Sequence, residues 1–389
     1  MIASVASPRL MLIGGGAVAE LPALLGKLGL CHPLVVTDPF MVRSGMVLRA
    51  TEPLQAANIS FGLFSDTVSD PTDTVIEAGV AALRAAPYDC MVAFGGGSPI
   101  DTAKGMAILA AAAPGVKMRD FKVPAAADRA AVPVIAIPTT AGTGSEATRF
   151  TVITDTEKNE KMLIAGLGAV PAAAIVDWRL TLSVPSRITA DTGIDSLTHA
   201  LEGFVSKRAN PHADALALAA MALIAPNLRA VYANPNDEAA RERMMLGATQ
   251  AGMAFSASSV ALVHGMSRPI GAHFHVPHGL SNAMLLPAVT RFSLEAGLPR
   301  YAAAARAMGL ASAEEGDQTA GTKLVAELAA LNRDLAVPSP RAYGIDEARW
   351  NGLLETMADQ ALASGSPGNN PRVPDKAEIV ALYREAWEA

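Results

Sequence analysis

The chain has 389 residues, is 51% hydrophobic and only 17% charged, and carries a formal net charge of −6. That length allows two domains with sizeable cores, and an acidic balance without a basic run argues against a nucleic-acid partner. Its two cysteines, Cys31 and Cys90, make no disulfide framework; they fit a reducing compartment, each as a small buried apolar residue.

No Lys/Arg-rich start precedes an apolar run at the N-terminus, so no signal peptide is expected. Met106–Ala113, an apolar helical run, stops at Pro114 and is too short to span a bilayer. A soluble cytoplasmic protein without membrane contact is expected.

The first half alternates short apolar runs with helical stretches. Strands are expected at Arg9–Ile13, Leu34–Thr37, Asp89–Phe94, Val134–Ile137 and Ala173–Val176. Ala17–Leu28 and Pro71–Ala85 read as helices between them. This alternation implies a parallel, Rossmann-like sheet with helices on both faces. Ligands then bind at the carboxyl ends of the strands. From Pro185 onward strand patterns vanish. Ser186–Ser206, His212–Tyr232, Glu238–Phe255, Ser281–Met308, Thr319–Asn332, Glu347–Ala363 and Lys376–Trp387 read as helices. The expected fold is an α/β N-terminal domain, residues 1–185, and an all-α C-terminal domain, residues 186–389.

Three segments of the first half carry candidate nucleotide chemistry. Gly14-Gly15-Gly16 follows a strand and satisfies G-x-G-x-x-A with Ala19. It reads as a tight turn into the next helix. Gly95-Gly96-Gly97-Ser98-Pro99-Ile100-Asp101 is the stronger loop. Its glycines allow close backbone approach. Ser98 is expected as N-cap, Pro99 at the first helical position and Asp101 as part of a box-like cap. Free N–H groups at such a helix start form an anion site. Lys104 reads as either phosphate-facing or solvated. Thr139, Thr140, Thr143 and Ser145 then form a hydroxyl- and glycine-rich loop after the next strand, suited to line a nicotinamide and diphosphate pocket.

Six of the seven histidines lie in the second half: His199, His212, His264, His273, His275 and His278. Asp195 and His199 are four apart in a helical pattern, so both side chains project from one face. A carboxylate and an imidazole so placed can clasp a divalent metal. His264 and His278 are positioned to supply two more ligands from elsewhere in the fold.

G-I-D-S-L-T-H-A-L-E-G, V-H-G-M and V-P-H-G-L-S-N-A together resemble the signature of the iron-containing (group III) alcohol dehydrogenases. G-G-G-S-P-I-D-T-A-K and P-T-T-A-G-T-G-S-E resemble that family's nucleotide motifs, and the likeness covers nearly the whole chain. The resemblance implies a divalent metal, Fe(II) first and Zn(II) as the alternative, on Asp195, His199, His264 and His278. His212, His273 and His275 have no ligand counterpart. It places Asp38 at the adenine ribose, where a carboxylate favours NAD over NADP, and Lys161 near the nicotinamide ribose. Asp70-Pro71 stands where many relatives have Asn-Pro, so that contact is left open. The implied activity is NAD-dependent hydride transfer to or from a small alcohol or aldehyde, in a homodimer or higher homo-oligomer.

Two other readings are a lyase resembling 3-dehydroquinate synthase, which needs a Lys/Arg cluster absent near the metal motif, and a non-catalytic nucleotide- or metal-binding protein. One position departs from the family. Many relatives carry a histidine four residues after the one at His264, and here Arg268 stands there. Arginine stays charged and cannot relay a proton. Arg268 is therefore expected to clamp an acidic group on the substrate, or else to turn away onto an acidic side chain. His273 or His275 is the expected stand-in relay, His275 first because it is three residues from His278.

Overall fold

The computed structural model describes residues 2–388. It divides into two compact units, one from Val5 to Leu182 and one from Ser183 onward, the latter taking in the first few residues.

The first unit is built on β1 (Leu10–Ile13), α1 (Leu21–Leu28), β2 (Pro33–Val36), α2 (Pro39–Arg43), α3 (Leu48–Ala56), β3 (Gly62–Phe64), α4 (Asp73–Arg84), β4 (Cys90–Gly95), α5 (Gly97–Ala110), β5 (Val134–Pro138), β6 (Phe150–Asp155), β7 (Glu160–Ala165) and β8 (Ala173–Val176). Six strands form a parallel sheet in the order β1-β8-β5-β4-β2-β3. All five expected strands are present. β3 went unread because it is three residues long at a sheet edge.

Alternation along the strands divides the core. Leu34, Val36, Met91, Ala93 and Ala136 pack on one face with Ile76, Val80 and Met106 of α4 and α5. Val35, Val92, Phe94, Ile135 and Ile137 pack on the other with Leu24 of α1 and Leu54 of α3. Each large side chain so buried contributes about 1.5–3 kcal/mol.

β6 and β7 form a separate antiparallel hairpin, absent from the sequence reading. Its buried positions on β6 are Thr151, Ile153 and Asp155. Two polar residues on the inward face erase the apolar alternation that marks a strand. The run expected as one helix over Ala17–Leu28 is a 3-10 turn, Ala17–Glu20, followed by α1.

The second unit is helical: α6 (Ser186–Val205), α7 (Pro211–Ala233), α8 (Glu238–Ala257), α9 (Leu262–Phe274), α10 (His278–Ser293), α11 (Leu298–Ala307), α12 (Asp317–Asp334), α13 (Pro340–Tyr343), α14 (Glu347–Ala363) and α15 (Lys376–Glu388). The stretch expected as one helix over Ser281–Met308 is two. A 3-10 turn at Glu295–Gly297 separates α10 from α11, and Pro299 sits in the first turn of α11, where its missing N–H costs nothing. Among the described residues α7 is long and apolar enough to cross a membrane by length and composition. Its buried positions, Ala213, Ala217, Ala220, Met221, Ile224, Asn227, Leu228 and Val231, fall on one stripe at three- and four-residue spacings with their immediate neighbours, the pattern of a helix laid along a protein core.

Candidate metal centre and nucleotide loops

Five of the second unit's residues converge where α6, α9 and α10 meet. Asp195 and His199 project from one face of α6, as their spacing requires. His264 lies in the first turn of α9, and His278 opens α10. Gly279 permits the approach. A Cβ there would lie 2.3 Å from the Asp191 carbonyl oxygen and 3.3 Å from the Asp195 Cβ, so only glycine lets α10 seat against α6. One donor atom from each of Asp195, His199, His264 and His278 falls within 4.8 Å of the others. The Nε2 atoms of His199, His264 and His278 lie 3.8, 3.6 and 3.8 Å from Asp195 Oδ1. Asp195, His199 and His264 are buried, whereas the His278 side chain is 37% exposed. His278 therefore marks the accessible side.

Burial raises the Asp195 carboxyl, but the facing histidines outweigh it and hold the group well below the usual carboxylate range. His199 stacks on Phe255 with ring centroids 4.3 Å apart and on His264 at 4.6 Å.

The fifth residue, Glu202, was missed as a site residue although it lies within the quoted T-H-A-L-E-G. It is buried and accepts three hydrogen bonds: from the Ala261 N–H at 2.9 Å, the Val263 N–H at 2.6 Å and His264 Nδ1 at 2.7 Å. The first two come from the start of α9, where a carboxylate meets the positive end of the helix. The third puts the His264 proton on Nδ1 and leaves the lone pair of Nε2 facing the quartet's centre. A carboxylate behind a histidine is the arrangement that orients a metal-ligating imidazole. Three imidazoles and a carboxylate, one of them so braced, suit Fe(II) or Zn(II).

Arg268 lies one turn beyond His264 on α9. Its Nη1 donates to Ser366 Oγ at 3.1 Å. Burial lowers its pKa, with Glu202 opposing. The expected acidic partner is not there: among the described residues no carboxylate comes within ion-pair distance of Arg268. His275 is exposed and ends α9 in the left-handed region, with φ 56°. His273 Nε2 pairs with Gln360 Oε1 at 2.9 Å on the surface.

In the first unit two glycines of the Gly95–Gly97 loop, Gly95 and Gly97, have separate reasons. Gly95 has φ 148°, and a Cβ there would meet Pro99 Cγ at 2.5 Å. A Cβ on Gly97 would meet Thr143 Cγ2 at 2.8 Å, so the glycine loop and the threonine loop pack directly. The capping expectation needs correction. α5 starts at Gly97 with Gly96 as its N-cap and no side-chain cap, so Ser98 and Pro99 are already helical. Asp101 points instead to the neighbouring loop, where it accepts from Ser145 Oγ at 2.6 Å and the Val152 N–H at 2.9 Å. Lys104 is neither phosphate-facing nor solvated. It is fully buried, and its Nζ donates to the carbonyls of Ser145, Thr148 and Phe150 at 2.6, 3.0 and 2.9 Å. Asp101 and Lys104 thus tie α5 to the Thr139–Ser145 loop and β6.

A cavity of about 530 Å³ opens beside this loop, with Asp38, Thr67, Gly96, Gly97 and Ser98 in its lining. That volume suits a cofactor-sized ligand. Thr67 and Thr139 each bury a hydroxyl with no partner among the described residues; such groups are costly unless something bonds them. Asp38 caps α2 through Oδ1, which accepts from the Met41 N–H at 2.9 Å. Lys161 Nζ pairs with Asp70 Oδ1 at 2.8 Å and is largely buried, so it is not a solvated lysine. The first glycine turn is closed from within. Asp177 accepts from the Gly16 and Val18 N–H groups at 2.9 and 3.1 Å, so these two amides are already bonded within the chain.

Residues 8–178 match the family described as Iron-containing alcohol dehydrogenase, and residues 189–387 match the Fe-containing alcohol dehydrogenase family, C-terminal. The chain belongs to this family. It is accordingly an oxidoreductase acting on CH–OH groups. It is 36% identical over 374 residues to lactaldehyde reductase of Escherichia coli (strain K12), covering 96% of this chain and 97% of that one. A crystal structure of 1,3-propanediol oxidoreductase superposes with a TM-score of 0.94 at 34% identity, covering 99% of this chain and all of that one (100%). Sulfoacetaldehyde reductase from Bifidobacterium kashiwanohense, solved with NAD+, superposes at 0.88 with 28% identity, covering 100% of each chain.

Proposed function

We propose that this chain is an NAD-dependent, divalent-metal-activated alcohol dehydrogenase or aldehyde reductase for small substrates. The observation that carries the reading is the quartet Asp195, His199, His264 and His278, converging within 4.8 Å in a family of metal-containing alcohol dehydrogenases. When bound, the metal supplies Lewis acidity toward an alcohol or aldehyde oxygen and the nicotinamide carries the hydride.

The chain's own residues do the rest. Glu202 fixes the His264 tautomer. His278 faces the accessible side. Gly95–Gly97 and the start of α5 offer backbone N–H groups to a diphosphate, and Thr139, Thr140 and Thr143 line the adjoining loop. Asp101 and Ser145 brace these loops against each other. Asp38 meets the adenine ribose, and Lys161 the nicotinamide ribose, exchanging its Asp70 pairing for that contact. A cytoplasmic homo-oligomer completes the proposal, with light scattering of the purified protein as the check on assembly. Elemental analysis after purification without added metal tests the metal, with Fe(II) expected ahead of Zn(II). NADH oxidation that survives complete chelation sinks the metal role. Tight NADH binding without oxidation of any aldehyde favours a non-catalytic protein instead.

The finer reading is a substrate with an acidic group, held by Arg268. Its support is a half-buried guanidinium with one neutral partner, Ser366 Oγ, and no carboxylate beside it among the described residues. Buried cations without a counter-charge are costly, and a substrate carboxylate or sulfonate removes the cost. Sulfoacetaldehyde reductase from Bifidobacterium kashiwanohense is by its name a reductase of an aldehyde of this kind. His275, three residues before His278, is the proton relay in this reading. Arg268→Ala is expected to raise KM selectively for acidic aldehydes by about 10- to 100-fold, the range of a lost charge-assisted contact. If uncharged alcohols turn over best and the variant treats both classes alike, the clamp fails.

A further inference from the structure

Asn282 lies against the metal quartet without being one of its four expected ligands. It lies four residues after His278 on α10, so its side chain projects from the same face. It is fully buried. Its Nδ2 lies 2.7 Å from Asp195 Oδ1, 3.2 Å from His264 Nε2 and 3.4 Å from His278 Nε2. No imidazole approaches that oxygen as closely; the nearest is His264 at 3.6 Å. The atom beside Asp195 must be the amide nitrogen, because an amide oxygen there faces a carboxylate oxygen with no proton between them. The other end of the amide, Oδ1, has no partner among the described residues. Leaving that acceptor unpaired carries a cost, and the side chain is nevertheless held with its N–H groups among the ligands. The turn that bears it is pinned from outside, since Asn332 Nδ2 donates to the Ala283 carbonyl at 2.7 Å.

We propose that Asn282 is a positioning residue for the metal: its N–H fixes the ligating oxygen of Asp195 toward the three imidazoles. The inference rests on the proposed metal site. Outer contacts of this kind are worth about 10- to 100-fold in metal affinity. Asp195 is the only anion among the four ligands, so its misalignment weakens binding more than loss of packing alone.

The test is Zn(II) affinity, measured by competition with a chromophoric chelator, for the unmodified protein, Asn282→Ala, Asn282→Ser and Met284→Ala. Met284 is buried on the same helix and touches none of the quartet's donor atoms through a hydrogen bond; it controls for lost packing. Both Asn282 variants are expected to bind Zn(II) about 10- to 100-fold more weakly, with Met284→Ala unchanged. The serine variant keeps a small polar group and guards against a misfolded alanine variant. Equal Zn(II) affinity in either soluble Asn282 variant overturns the proposal, as does an equal loss in Met284→Ala. Failure of the unmodified protein to bind Zn(II) or anaerobic Fe(II) overturns the metal reading itself, a distinct result.

Discussion

Glu202→Gln is the sharpest perturbation of the metal centre that keeps its shape. The carboxylate accepts from the Ala261 N–H, the Val263 N–H and His264 Nδ1. A glutamine has one acceptor oxygen and one NH2. With its oxygen in place of Oε2, it keeps Ala261 and His264 but as neutral bonds, roughly half as strong. Its NH2 then faces the Val263 N–H, a donor against a donor. Stranding a buried donor costs about 1–3 kcal/mol, and weakening two charge-assisted bonds costs about 1 kcal/mol each. The sum is about 3–5 kcal/mol of unfolding free energy, a large share of a typical domain's stability. His264 also loses the group that fixes its tautomer, so metal affinity falls by about 10- to 100-fold. Denaturant unfolding and chelator competition read the two effects separately. A variant with unchanged midpoint and unchanged affinity refutes the bracing role of Glu202.

Three further outcomes are expected. Asp195→Ala and His264→Ala lose metal and activity but retain NADH binding, because ligands and nucleotide loops belong to different units; fluorescence titration with NADH checks this, and loss of NADH binding with metal retained reverses the assignment. NADH is used in preference to NADPH, and Asp38→Gly narrows the ratio of kcat/KM by about 10-fold or more, on the order of one lost charged contact; equal use of both cofactors by the unmodified enzyme removes Asp38 as selector. Burial lowers Lys104 to about 8, against Asp101 and Glu146. Between about 8 and the ordinary lysine value of 10.5 the unfolded chain holds a proton that the folded one has shed, so this group makes stability rise with pH. The slope is at most about 1.4 kcal/mol per pH unit. Subtracting the curve of Lys104→Met isolates that contribution from the tyrosines and cysteines, and a flat difference removes it.

Legibility followed the physics of each residue. Sheet strands such as Cys90–Gly95 are continuous apolar runs, and their neighbours on both faces demand that composition. Within the quartet, Asp195 and His199 were legible because they share a helix face by spacing, whereas His264 and His278 were joined to them through the resemblance to the iron-containing alcohol dehydrogenases. Asn282 bears the same four-residue relation to His278, a signal present in H-G-L-S-N but not used. Glu202 is harder to see, since its partners Ala261 and Val263 are backbone amides some sixty positions away (|i−j| 59 and 61), and backbone donors leave no mark in a sequence. Asp101 looked like a cap because helix starts often carry acids; its real partner, Ser145, becomes adjacent only when β4 and β5 pair.

The two glycine turns show what decides between a structural and a binding role. Both follow a parallel strand and both lead into a helical turn. At Gly14–Gly16 the carboxylate of Asp177, at the end of β8, takes the Gly16 and Val18 N–H groups. The chain's own anion occupies the position a phosphate takes elsewhere, and the following turn is only four 3-10 residues long. At Gly95–Gly97 no side chain caps the helix, which runs for 14 residues. Its N–H groups and positive end remain available beside the cavity. The motif G-x-G-x-x-A is satisfied at the first turn and not at the second. The distinction lies in what the carboxylate at the end of the neighbouring strand bonds: Asp177, after β8, takes the amides beside β1, whereas Asp38, after β2, which pairs with β4, takes the Met41 N–H of its own helix.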